Sequence, residues 1–98
     1  MRNEGASERE LILEDAMLCV CQDRNAQYGS PEDSFQLIAD FWTTYLGVAV
    51  TATNVAMMMA LLKIARTKTS KDGVGSRDCY IDLAGYAACG GEIAERRN

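Results

Sequence analysis

Between residues 41 and 62 the chain carries no charge, and residues 51–66 read T-A-T-N-V-A-M-M-M-A-L-L-K-I-A-R. Helix-capping residues open this stretch, apolar residues follow on almost every side, and Lys63 and Arg66 end it. A helix apolar all round must be covered by several neighbours, so the stretch is expected to form a buried central helix. It is too short to span a membrane. Thr43, Thr44, Tyr45, Gly47, Thr51, Thr53 and Asn54 interrupt it, leaving only residues 55–62 apolar without a break. A bilayer requires ~20.

The rest of the chain supplies the neighbours. Ser7 and Glu10 make an S-x-x-E capping box that starts a first helix, after a frayed stretch at residues 1–6. Leu13, Ala16, Met17 and Val20 recur at helical spacing along it, to about residue 26, and Gly29 terminates it. Ser30-Pro31-Glu32-Asp33 is a second start, with serine as cap, proline in the first turn and acids at the positive helix end. Phe35, Ile38, Ala39, Trp42 and Leu46 form its apolar stripe and Gly47 its stop. Thr51 caps the third helix, with Val55, Met58, Met59, Leu62 and Ala65 on one face. Residues 69–76 have the composition of a flexible loop, and Ser76 is placed to cap a last helix reaching about residue 96. The small residues of that helix, Ala84, Gly85, Ala87, Ala88, Gly90 and Gly91, let another backbone approach closely. The reading is one all-α domain over residues 1–98, a compact four-helix bundle whose core is completed by homo-oligomerisation.

Charge is divided unevenly along the chain. The net charge is −4, and nine of the 14 acids fall in residues 1–40, whereas Lys63, Arg66, Lys68, Lys71 and Arg77 cluster against Asp72 alone. An acidic chain is a poor binder of extended nucleic acid, but a local basic cluster can hold one phosphate group. The first ten residues, M-R-N-E-G-A-S-E-R-E, lack the apolar core of a signal peptide, so a cytoplasmic location without membrane attachment is expected. Cys19, Cys21, Cys79 and Cys89 show no C-x-x-C spacing and the chain has no histidine, so buried, reduced thiols are expected rather than a zinc site.

Three constellations carry chemistry. Lys63 and Arg66, three apart, share a helix face; an ammonium beside a guanidinium fork suits phosphate or carboxylate, and equally complements the helix C-terminus. Asp78 and Asp82, four apart on the last helix, have the oxygen donors Mg²⁺ requires, or else pair with Lys63 or Arg66 across the bundle. Arg24, Asn25 and Tyr28 form a polar junction just before the helix start at Ser30, where an anion or a stacked base finds partners, or where Arg24 caps carbonyls and Tyr28 packs on Trp42. Without histidine or an activated serine or cysteine, nucleophilic catalysis has no support.

These residues also assemble into a longer pattern: R-N-x-x-Y-G-x-P-x-x-x-F at 24–35, I-A-x-x-W at 38–42, Y-L-G-V at 45–48, M-x-L-L-K-x-A-R at 59–66 and D-x-x-x-D-x-A-G-Y-A at 78–87. Over residues 16–92 this resembles a family of short phage and prophage proteins. That family in turn is similar to the all-α MazG-like nucleoside triphosphate pyrophosphohydrolases, helical oligomers that bind Mg²⁺ through E-x-x-E and E-x-x-D motifs. Here the third helix has no acid, and Asp78 and Asp82 are four apart rather than three. The resemblance implies a helical, phage-derived domain, in the host cytoplasm, that binds a nucleotide or related phosphorylated small molecule and sequesters a nucleotide signal. Lys63 and Arg66 would neutralise phosphate, Arg24 would assist and Tyr28 would pack on base or sugar. A Mg²⁺-dependent pyrophosphohydrolase using Asp78 and Asp82 is the alternative, and a protein-binding module without a small ligand is the third reading.

Overall fold

Ser7 starts the first helix as its capping pattern implies. Its hydroxyl accepts from the Glu10 N–H at 3.3 Å, and α1 runs Glu8–Leu18. The computed structural model describes residues 5–96, apart from the side chains of residues 23–25. Of the stretch expected to fray, residues 1–4 therefore lie outside the described residues. The chain then continues without a break through a π-helical turn, Cys19–Asp23, into a short α2, Arg24–Tyr28. The first helix is thus long, as its periodicity suggests, but its phase shifts at Cys19 because a π turn holds more residues than an α turn. That shift, and a single packed neighbour, leave Leu13 and Met17 on the outside while Ala16 is buried.

The second start holds in every part. Ser30 Oγ accepts from the Asp33 N–H, Pro31 opens α3 (Pro31–Leu46), and Gly47, in the left-handed region, closes it by donating to Thr43 O at 2.9 Å. Phe35, Ile38, Ala39 and Trp42 face inward, but Leu46 stands exposed at the helix end. A second α3 stripe, Leu37, Phe41 and Tyr45, is also exposed. The turn to the next helix is fixed by Thr43, whose hydroxyl accepts from the Val50 N–H at 2.8 Å and donates to the Val50 carbonyl at 3.2 Å.

Thr51 and Asn54 then make a reciprocal capping box, and α4 runs Ala52–Thr69. This helix corrects the sequence expectation. Among the described residues it packs on α3 and on the last helix, α5 (Arg77–Arg96), and on no third element, so only one side of it is covered by them. Ala52, Val55, Ala56, Ala60 and Thr67 are buried, while Met57, Met58, Leu61, Leu62 and Ile64 are exposed. The central helix is central in position but bare on its far face.

The small residues of α5 do what their size suggests. A Cβ on Gly90 would lie 3.1 Å from Ala56 Cβ, and one on Gly85 would lie 2.7 Å from Val20 Cγ1. Gly90 therefore lets α4 close in, and Gly85 admits the π turn. The buried line of α5 is Gly85, Cys89, Gly90 and Ile93. Ser76 precedes α5, but its hydroxyl turns to Cys79 Sγ rather than to a helix N–H.

Residues 70–76 are not the free loop that composition suggests. Asp72 Oδ1 accepts from the N–H groups of Val74 and Gly75, Ser70 Oγ accepts from Gly75, and Tyr80 donates its hydroxyl to the Val74 carbonyl. These bonds to its carboxylate hold Asp72 below the usual carboxylate range, with Val74 and Gly75 contributing most. The architecture is an all-α bundle of four helical stretches, with no strand among the described residues. No helix among them is long and apolar enough to cross a membrane.

Candidate functional site

The π turn, the start of α3 and the middle of α5 enclose a cleft of about 600 Å³, within the range of small-molecule sites. Met59 from the inner side of α4 also lines it. Its walls are apolar and aromatic: Phe35 and Tyr86 form a tilted pair with ring centroids 6.2 Å apart, and Ile38, Ile81 and Val20 fill in around them. Tyr28, 62% exposed, stands at the edge. Three polar side chains reach the lining, those of Asp33, Ser34 and Asp82. Asp33 and Ser34 are there because the Ser30 cap places the first turn of α3 at the rim.

Asp82 is fixed by Lys63. The ammonium Nζ lies 2.8 Å from Asp82 Oδ2, and the two side chains are only 14% and 26% exposed. Of the two outcomes open for Lys63, the structure gives the ion pair, with its Asp82 end on the wall of the cleft and Lys63 outside the lining. Arg66 is exposed, and its side chain has no ion-pair partner among the described residues. At 100° per residue, Arg66 comes round to nearly the same side of α4 as Met59, with Lys63 between them. Asp78 is exposed and does not reach the cleft lining. Asp78 and Asp82, one turn apart on α5, thus differ in their access to the cleft, and no group of three or more Asp, Glu, Cys or His among the described residues is placed to hold a metal. Arg24 belongs to α2, but its side chain lies outside the described residues.

Two further ion pairs brace the walls. Arg77 at the start of α5 meets Asp15 of α1 at 2.6 Å, and Arg96 at its end meets Glu32 of α3 at 2.6 Å. A smaller recess of about 310 Å³ lies behind Val20, Pro31 and Cys89, which line both spaces. The thiols correct another expectation: only Cys89 is buried, Cys19 and Cys79 are half-buried and Cys21 is exposed. Burial, with the nearby Glu92 carboxylate, pushes the Cys89 thiol up, so it is held neutral and is a poor nucleophile.

Of the residues singled out in the sequence, Tyr28 and Asp82 lie on the cleft lining, which Tyr86 and Met59 share and the π turn shapes. Tyr86 stood in the G-Y-A element of the motif at 78–87 and was available as a signal. Met59 looked like core filler, and the π turn leaves no mark in residue spacing.

The family model that matches this chain covers residues 11–94, from the middle of α1 to the last turn of α5, and is described as a domain of unknown function, DUF6378. The chain belongs to the DUF6378 family. It is also similar to the Gene 55 protein of Mycobacterium phage D29, at 41% identity over 87 residues, 88% of this chain and 55% of that protein. The Gene 55 protein of Mycobacterium phage L5 is 39% identical over 77 residues, 78% of this chain and 47% of that protein. The chain thus spans about half the length of the curated relatives it matches, and kinship with phage proteins, expected from the motifs, is shown. No solved structure matches.

Proposed function

We propose that this DUF6378 domain binds a nucleotide or a related phosphorylated aromatic molecule in the cleft, and that it acts by holding the ligand rather than converting it. The observation that carries the reading is the cleft itself: about 600 Å³, walled by Phe35 and Tyr86, with the Asp82 carboxylate fixed on its lining. Aromatic walls suit a flat base, and a carboxylate with one oxygen held by Lys63 can accept from a base amino group with the other. Phosphate falls to Arg66, the exposed cation on the Met59 side of α4, because Lys63 is already neutralised by Asp82. Arg24 is assigned an assisting role in the same reading. Binding is favoured over hydrolysis because Asp82 is engaged with Lys63 and Asp78 lies outside the cleft lining.

Calorimetry with nucleosides and with linear and cyclic nucleotides tests this. Nucleotides should bind more tightly than the matching nucleosides, and Arg66→Ala should abolish that difference while Tyr28→Ala weakens both by roughly tenfold, about 1.4 kcal/mol. No binding at near-millimolar ligand contradicts the proposal. Pyrophosphate release in Mg²⁺ that Asp82→Asn abolishes, with the fold intact, replaces it with the hydrolase reading.

A further inference from the structure

The far face of α4 presents Met57, Met58, Leu61, Leu62, Ile64 and Ala65 to solvent, with Leu61 63% exposed. Leu61 points about 200° away from Met59, so this face lies opposite the cleft and owes nothing to the ligand reading. Contiguous apolar surface of this kind on a folded domain marks an interaction site. We propose that a second copy of this chain covers it, α4 packing antiparallel on α4 about a two-fold axis at Leu61.

Charge selects a second copy over other partners. A two-fold contact sets the same surface against itself, so any charge near its middle meets its own like. Here residues 41–62 carry none, α4 holds no acid, and the nine acids of residues 1–40 belong to other elements. With the axis at Leu61, antiparallel register sets Met57 opposite Ala65, large against small, and Met58 opposite Ile64. It also sets Lys68, the one exposed cation on this face, opposite Asn54 of the other copy, about 21 Å along the helix from its own mate's position. Neither end brings like charges together.

Sedimentation velocity on the 98-residue chain, without ligand, is the test. The wild type should sediment as a dimer at tens of micromolar. Leu61→Glu should give a monomer with unchanged far-ultraviolet dichroism, while Leu13→Glu, an equally exposed leucine on α1, should leave the dimer in place. Should Leu61→Glu fail to fold, Leu61→Cys combined with Cys21→Ser should form an oxidised cross-linked dimer that Cys21→Ser alone does not. A wild type monomeric at hundreds of micromolar overturns the proposal, as does dissociation by Leu13→Glu with Leu61→Glu still dimeric. Because no nucleotide is present, either result leaves the ligand proposal to stand or fall on its own titration.

Discussion

The two faces of α4 differ in a way that helix amphipathicity does not describe. The inner face is built from small residues, Ala52, Val55, Ala56 and Ala60, and is buried against α5, where Gly90 removes the last obstacle to close approach. The outer face carries the large residues Met58, Leu61, Leu62 and Ile64 and is exposed, with Met57 at its edge, where its methyl reaches back toward Gly90. A lone monomer would place its large apolar side chains inside, where each fully buried one is worth ~1.5–3 kcal/mol. The inversion says that inside the chain α4 is used for proximity, bringing α5 near enough to hold Asp82 with Lys63. Its hydrophobic payload is kept for another surface.

Substitutions on the two faces should separate these roles. The largest effect belongs to Gly90→Val, whose added carbon meets Ala56 and Met57 at 3.1 Å. Overpacking there should cost about 2–3 kcal/mol, more than the few tenths gained in helix propensity, and lower the melting temperature by roughly 10 °C or more. Next, Val55→Ala at the fully buried position should cost about 2 kcal/mol in urea unfolding. Leu61→Ala, which removes more atoms, should change monomer stability by less than about 0.5 kcal/mol and act on self-association instead. Equal losses at the two sites would break the comparison. Asp82→Asn leaves Lys63 half-buried beside a neutral amide, and should cost about 1 kcal/mol while leaving sedimentation unchanged.

The smallest effect belongs to the loop after α4, outside both faces. The folded state holds the Asp72 carboxyl below its ordinary value, so its contribution to stability is full above that value and is lost as pH falls through the lowered one. Asp72→Asn should therefore lower stability slightly at pH 7 and make no difference in the most acidic range, as followed by thermal unfolding across pH.

Much of this fold was legible because its helix ends are chemically explicit. Ser7, Ser30, Pro31, Gly47 and Thr51 each acts where its side chain or backbone preference puts it. Less legible was which side of an apolar helix is covered, since residue spacing records apolarity and not the number of neighbours. Leu13, Met17 and Leu46 were placed inward for that reason and stand exposed. The π turn at Cys19 escaped because a local gain of residues per turn depends on tertiary packing, here Val20 against Gly85. In the site, Lys63 and Asp82 were identifiable as a pair of opposite charges, but whether they met was a question of helix separation. The glycines of α5 set that separation, and only coordinates show it.

On the proposed reading, the two sides of α4 serve different partners, a small ligand within and a second copy without. A nitrogen–proton correlation spectrum recorded during titration with a nucleotide tests both sides at once. Shifts confined to Arg24, Tyr28, Phe35, Met59, Arg66, Ile81, Asp82 and Tyr86, with Met58, Leu61 and Ile64 unmoved, are the predicted result. An unchanged spectrum at near-millimolar nucleotide, or shifts centred on the outer residues, would contradict it.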